Sequence, residues 1–320
     1  MLNDRYSRQE LLTDIGKEGQ LILKNKTVAI VGIGALGTVS SELLTRAGIG
    51  NLILIDRDVI ELSNLQRQNL FTENDLGKSK SNVAKIRLTQ INSTLNLTSY
   101  SIHLNSKNIS VLKNADLILD CTDNLSTRFL INDFCKKNNL PWIYAAAIKT
   151  SGQVMPILPG GPCLSCFVKE TPTESCNTAG VLNSATSSIS ALQVSLALKI
   201  LLGKETAPEL YCYDLWKPEF RILSISKNKE CLACNGRYNY LNNLTESKQI
   251  KFCSSGKYQI DGTPKDFIAL KHKLEIIDKV ELDEDLFKFQ NILLFKDGRA
   301  IIKANSEEEA LACYAKHIEN

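Results

Sequence analysis

The chain has 320 residues, 43% of them hydrophobic and 23% charged, with a formal net charge of +3. That length accommodates one large α/β domain of about 250 residues and a small companion. So mild a charge excludes a nucleic-acid coat or a membrane-surface patch, and any anion site has to be local.

The opening MLNDRYSRQE is charged and lacks the apolar core of a secretory signal. No uninterrupted apolar run approaches the roughly 18 to 20 residues that span a bilayer, so a cytoplasmic protein is expected, with neither membrane nor nucleic acid as partner. TVAIVGIGALG (27–37) reads as a buried β-branched strand entering a tight glycine turn, TVSSELLTRAGIG (38–50) as an amphipathic helix stopped by glycine, and NLILIDRD (51–58) as a second strand. This is the strand, helix, strand unit of a parallel sheet. SKSNVAKIRLTQIN (79–92) has helical period, LTSYSIHL and ADLILDCT (115–122) read as strands, and TRFLINDFCKKN follows as a helix. WIYAAAI (142–148), VMPIL (154–158) and FRILSIS (220–226) form a second group of strands that need not be parallel, and 186–203 is one long apolar helix expected in the core.

From 236 to 250 the chain turns polar and reads as a linker. The tail then has the pattern strand, helix, hairpin, helix, with Asp297-Gly298 as the hairpin turn and Ser306 with Glu309 as a capping box. The expected fold is therefore a Rossmann-like, doubly wound, mostly parallel α/β sheet with additional strands (residues 1–245), followed by a small α+β domain (residues 246–320).

Gly32, Gly34 and Gly37 make a GxGxxG turn between strand and helix, where backbone N–H groups and the helix N-terminus favour phosphate. Asp56 ends the next strand, where a carboxylate accepts from ribose hydroxyls. On these residues NAD and ATP both fit. LSNLQRQN (62–69) separates them: Asn64, Arg67 and Gln68 suit a triphosphate, and the arginine fork can neutralise departing pyrophosphate. Taken by itself the stretch would equally be a solvated helix start. Lys80, opening the next helix, can reach phosphate as a point charge. DCTDN (120–124) places Asp123 at the carboxyl end of a strand, where it can hold Mg²⁺, with Asp120 as support. The plainer alternative is an Asp that caps the next helix.

Ten cysteines in a reducing compartment read as metal ligands and reactive thiols rather than a disulfide framework. Cys163 with Cys166, and Cys231 with Cys234, form two CxxC pairs separated by 64 residues. Together they complete a tetrahedral sulfur set for structural zinc, with redox centres as the alternative, so the intervening segment is expected to be stapled by the metal. Cys176, in ESCNTAGVL, is either a nucleophile or persulfide relay, or a bland free thiol. Only three histidines occur, none in a catalytic context, which argues against Ser-His and Cys-His hydrolases.

In order along residues 3–240, RYSRQ (5–9), GIGALG, IDRDVIELSNLQRQ (55–68), GKSK, DCTDN, the two CxxC pairs and CNTAG strongly resemble the ThiF/MoeB/HesA family of ubiquitin-activating-like adenylyltransferases. The resemblance implies adenylation, with ATP and Mg²⁺, of the C-terminal glycine carboxylate of a ubiquitin-like sulfur carrier (ThiS or MoaD) ending in Gly-Gly, in thiamine or molybdopterin biosynthesis. By motif position Asp56 would bind ribose, Asn64, Arg67, Gln68 and Lys80 the phosphates, and Asp123 the metal, with Asn124 beside it in the nucleotide-binding set. Arg8 would reach into the ATP site of a partner subunit, which implies a homodimer. Cys176 matches the cysteine that can be joined to the activated carrier, and a cysteine desulfurase or rhodanese-type protein would supply the sulfur. Relatives that adenylate a peptide or a tRNA base, an NAD-dependent oxidoreductase and a non-catalytic docking module are the competing readings. The tail is too small for a rhodanese domain, and its Cys253 and Cys313 fall in an expected strand and helix; it looks like that of longer ThiF-type proteins.

Overall fold

The computed structural model describes residues 5–169, 179–242, 251–253, 256–283 and 286–319. The chain divides into two compact units, Met1–Thr245 and Glu246–Asn320.

The first unit contains α1 (Ser7–Glu10), α2 (Gly16–Lys24), β1 (Thr27–Val31), α3 (Ala35–Ala47), β2 (Asn51–Ile55), α4 (Lys80–Ile91), β3 (Asn96–Tyr100), β4 (Leu117–Asp120), α5 (Leu125–Asn138), β5 (Trp142–Ile148), β6 (Ser151–Ile157), α6 (Asn183–Leu201), β7 (Glu209–Asp214) and β8 (Glu219–Ser224). The strands form one sheet in the order β3-β2-β1-β4-β5-β6-β7-β8. From β3 to β5 neighbours are parallel, and from β5 to β8 they are antiparallel. This is the expected doubly wound sheet with added strands. The central strands are apolar on both faces because helices cover both: Val28, Ala29 and Ile30 are fully buried. Residues of α2, α3, α4 and α6 build one core layer; α5 and the cysteine-bearing segment build the other.

Register aligns the strand ends. Val31 pairs with both Ile55 and Asp120, so β1, β2 and β4 finish on one row. The chain therefore turns out of the sheet at three adjacent points on the same level. Strand β7 was not anticipated from sequence; in ELYCYD only Leu210 is buried, and pairing with β6 and β8 rather than an apolar face makes it a strand.

α6 is long and apolar enough to cross a membrane by length and composition, and it is the one such helix among the described residues. Half of it is buried, and its polar Gln193 and Ser190 are fully buried and hydrogen-bonded within the core. It is the core helix expected from the sequence.

The two CxxC pairs meet. Their four Sγ atoms lie within 4.8 Å of one another, at 3.9 Å for Cys163–Cys166, 3.5 Å for Cys163–Cys231 and Cys163–Cys234, and 3.6 Å for Cys166–Cys234. Four thiolates at about 2.3 Å from a tetrahedral ion stand about 3.8 Å apart, so the donor set and its spacing fit structural zinc. Asn132 of α5 orients the first pair, accepting from Leu164 N–H at 2.9 Å and donating to Ser165 Oγ at 3.3 Å. The residues after Cys234 do not leave as a linker at 236. The ring of Tyr240 stacks on Phe129 at 5.0 Å, and its N–H donates to Asp133 at 3.0 Å. The polar composition of GRYNY concealed this return to α5.

The second unit holds β9 (Lys251–Cys253), β10 (Lys257–Ile260), α7 (Phe267–Leu274), β11 (Val280–Leu282), β12 (Leu286–Phe289), β13 (Ile292–Phe295), β14 (Ala300–Lys303) and α8 (Glu307–Tyr314). It is an antiparallel sheet in the order β11-β12-β13-β14-β10-β9, with Phe267, Leu270 and Leu274 of α7 and Ala310 and Tyr314 of α8 in its core. Strands β11 and β12 were not anticipated, being too short to show a period, while β9 ends at Cys253, where a strand was expected. The Asp297-Gly298 turn forms, with Gly298 at φ +91°. The capping box is displaced: Ser306 Oγ accepts from Glu309 N–H, but the Glu309 carboxylate takes Asn305 N–H at 2.9 Å instead of that of Ser306.

Two outcomes follow from this packing. Cys163→Ser combined with Cys166→Ser will lose bound zinc by elemental analysis, and stripping the wild type with a chelator will lower its melting temperature; zinc content unchanged in the double variant would refute the site. Burial pushes the Asp133 carboxyl up to about 6 from 3.8. The folded state therefore binds the proton more tightly, and this group lowers stability as pH rises through that window. Denaturant titrations of Asp133→Asn will show a smaller loss of stability between about pH 4 and pH 6 than the wild type.

Candidate active site

β1 and β4 are neighbours whose connections diverge, through α3 to β2 on one side and through α5 to β5 on the other. Ligands of such sheets bind beyond the carboxyl ends at this switch point. Three glycines shape it. Gly32 has φ +91°, and a Cβ there would stand 2.6 Å from the Cys121 carbonyl oxygen. A Cβ on Gly37 would stand 1.9 Å from the Gly32 carbonyl oxygen, so α3 packs directly on the strand exit. At Gly34 the only neighbour within 4 Å among the described residues would be Gln68 Nε2 at 3.8 Å. Two of the glycines permit close packing, while the third leaves room above α3. The helix has no side-chain cap and no acidic residue in its first turn, so its leading N–H groups and dipole face that room.

Asp56 follows β2 and is held from two sides: Oδ2 accepts from Ile33 N–H at 2.6 Å and Oδ1 from Asp58 N–H at 2.7 Å. Burial raises its pKa, opposed by the charge of Lys80. A 3-10 turn at Leu62–Asn64 then carries the polar cluster. Asn64 is buried and accepts Glu61 N–H at 3.1 Å; Arg67 is half-buried and donates Nη1 to Ser63 O at 2.9 Å. Gln68 is 3% exposed, and its buried Oε1 has no hydrogen-bond partner among the described residues. Such an orphan carries a cost of about 1–3 kcal/mol, which an incoming donor would relieve.

Lys80 is where the site converges. It opens α4 and is 6% exposed, with Nζ 3.5 Å from Asp58 Oδ2. Burial works against its charge, but the carboxylates of Asp58, Asp56 and Asp123 outweigh burial and hold the pKa above the ordinary lysine value. It is therefore an ammonium in a largely dry setting. The hydroxyls of Ser79, Ser81 and Ser101 bond to one another at 2.6–3.1 Å and brace this turn.

Asp123 is exposed beyond β4. The cap of α5 is Asn124, whose Oδ1 accepts Thr127 N–H at 2.8 Å, so the Asp123 carboxylate is spared that task. Capping occupies the oxygen of Asn124, a use that its place in the nucleotide-binding set did not foresee. Below it Asp120 is wholly buried, taking Thr122 N–H at 3.0 Å and Thr122 Oγ1 at 2.7 Å. Its Oδ2 lies 3.2 Å from Arg128 Nε, an ion pair outside hydrogen-bond alignment. Asp58 and Arg128 escaped the sequence reading. A carboxylate two residues after Asp56 and an arginine on the buried face of a helix were the available signals.

Arg8 is exposed on α1. Neighbouring Tyr6 accepts from Asn92 Nδ2 at 2.9 Å, and Gln9 donates to Ala47 O at 2.8 Å, so α1 is tied to the far ends of α4 and α3. A helix of 13 residues is about 20 Å long, which puts Arg8 at the opposite end of α3 from its own glycine turn. Cys176 lies outside the described residues.

Residues 6–233 match the ThiF family. The chain is 36% identical to the sulfur carrier protein ThiS adenylyltransferase of Bacillus subtilis, covering 99% of this chain and 100% of that one. It is 40% identical to the Drosophila virilis adenylyltransferase and sulfurtransferase MOCS3 over 73% of this chain, and spans only 54% of that relative. Among solved structures, Escherichia coli MccB with ATP aligns at a TM-score of 0.64 with 27% identity, covering 72% of this chain and 74% of that chain. With the family match extending over most of the chain and a relative matched from end to end, the chain belongs to the ThiF family.

Proposed function

We propose that the first unit adenylates the C-terminal carboxylate of a ubiquitin-like sulfur carrier ending in Gly-Gly, using ATP and releasing pyrophosphate, and that the carrier is ThiS-like. The observation that carries this reading is the charged, buried Lys80 close to Asp56 at the glycine turn before the uncapped α3, with the Gln68 side chain beside Gly34 and its Oε1 unpartnered among the described residues. That is a lining for phosphates, whereas hydride transfer to nicotinamide would need a flat slot with an acid or base beside it. Support for ATP comes from the aligned MccB structure, and for a ThiS-like carrier and thiamine biosynthesis from the name of the relative matched from end to end.

In this reading a carrier carboxylate oxygen bonds to the α-phosphorus while the bond from that phosphorus to the bridging oxygen breaks. The carboxylate is already ionised near neutral pH, so alignment and charge neutralisation suffice and no general base is required. Asp56 would take the ribose; Asn64, Arg67, Gln68 and Lys80 would take the phosphates. Asp123 would hold Mg²⁺, which supplies positive charge at the phosphate oxygens when bound. Arg8 would complete the site of a second copy, which its place at the far end of α3 supports. Cys176 would serve later sulfur transfer from a desulfurase or rhodanese-type donor, a step that adenylation itself does not use. The expected compartment is the cytoplasm.

Pyrophosphate exchange tests the reading: a ThiS-like carrier will stimulate ATP–pyrophosphate exchange more than a MoaD-like one, and stimulation by neither refutes it. Arg67→Ala will lower exchange by about 10²–10³-fold without shifting the melting temperature, and retained exchange removes Arg67 from its role. Gln68→Leu will weaken binding of an ATP analogue about tenfold while leaving stability unchanged or raised by about 1 kcal/mol, since it removes an unsatisfied buried oxygen. A variant that lost stability and affinity together would show that Gln68 is structural.

A further inference from the structure

β4 and β5 pair only through Ile118 with Trp142 and Leu119 with Ile143. On its other side β4 stays paired with β1 as far as Asp120. The ladder to β5 thus ends before β4 does, and the two strands part at the mouth of the crevice.

Two side chains enter the parting from opposite layers. Gln193 of α6 donates Nε2 to the Asp120 carbonyl at 2.9 Å and to the Ile143 carbonyl at 3.3 Å. Arg128 of α5 donates Nη2 to the Thr122 carbonyl and, at 3.2 Å, to the Ala145 carbonyl. Each side chain therefore ties one carbonyl of the β4 exit to one of β5, and the second tie lies two residues beyond the first on both strands. They take the place of the backbone donors that a continued ladder would have supplied.

Both braces are themselves held. Gln193 Oε1 accepts Ser40 Oγ of α3 at 2.9 Å, linking the brace to the helix under the glycine turn. The Arg128 guanidinium pairs with Asp120 and lies over the Tyr144 ring at 5.2 Å. Gln193 is fully buried and Arg128 is 8% exposed, so water is a poor substitute for either. Asp123 follows Thr122 directly, just past the last ladder bond from Cys121 N–H to the Val31 carbonyl at 2.8 Å, so these ties help to set its place where the ladder has ended.

We propose that Arg128 and Gln193 are positioning residues that bridge the parted ends of β4 and β5 and so fix Asp123 for the divalent cation that accompanies a nucleoside triphosphate. This rests on the reading of Asp123 as the cation ligand. Both side chains are buried and engaged with the strand exits, and neither is among the residues assigned to the nucleotide, so their effect is expected on the cation.

Arg128→Lys keeps the charge opposite Asp120 but loses the fork; Gln193→Met keeps the volume and loses both donors. Calorimetric titration of a non-hydrolysable ATP analogue, with and without Mg²⁺, reads the effect without catalysis. In each variant the enhancement of affinity by Mg²⁺ will fall at least tenfold, while affinity without Mg²⁺ changes less than threefold. Mn²⁺ bound in the presence of the analogue, followed by electron paramagnetic resonance, will weaken in parallel. An unchanged Mg²⁺ enhancement in both variants overturns the proposal, as does an equal loss of affinity with and without the cation. Binding of no ATP analogue by the wild type sinks the nucleotide reading itself, and the proposal with it.

Discussion

The crevice depends on a steric constraint. β1 and β4 end on the same row, and the backbones leaving them pass so close that residue 32 has no room for a side chain and residue 37 none either. Backbone amides, the first turn of α3 and the exit of β4 are thereby brought to one point. A conventional residue at either position would force these backbones apart, and the polar side chains around them would no longer share a centre. At Gly34, by contrast, a Cβ would meet only ordinary contact with Gln68 Nε2 at 3.8 Å among the described residues.

Around that point the protein keeps two buried cations, each answered by carboxylates. Isolated burial of such charges costs several kcal/mol each, so pairing is a condition of folding. The two pairs differ in freedom. Asp120 is wholly buried beneath Arg128 and is locked by Thr122. Asp58, which faces Lys80, has a side chain 48% exposed, while Asp56 is fastened by two backbone amides. Of the partners of Lys80, Asp58 has solvent to turn to and can yield its place to another anion. One cation is thus built into the scaffold, and the other is available for exchange.

Much of the candidate site was legible in the sequence wherever it lies at a strand end and is written in a short span. The GxGxxG turn, Asp56, the 62–69 cluster, Lys80 and Asp123 are all named by their places after apolar runs, and the two cysteine pairs by their spacing. What escaped was written over long separations. Gln193 meets the Asp120 carbonyl across 73 positions, from a helix whose period announces only a core. Arg128 sits in TRFLINDFCKKN, a stretch that reads only as a helix. Asn124 instead of Asp123 caps α5, a choice between adjacent residues that depends on backbone angles. Tyr240 hid in a polar stretch because one stacked ring and one backbone bond, rather than a period, bring it back to α5.

The cysteine cluster also has a consequence in time. Cys163 and Cys231 lie 68 positions apart, as do Cys166 and Cys234, and all of α6 with β7 and β8 is made in between. At about 5–20 residues per second, a ribosome takes several seconds to produce the second pair after the first. Throughout that interval the nascent chain holds only half of the thiolates, and no complete set of ligands exists to capture an ion. The antiparallel end of the sheet has to be synthesised before a metal could close it, so for an ion bound there the order of translation decides which part of this fold is sealed last.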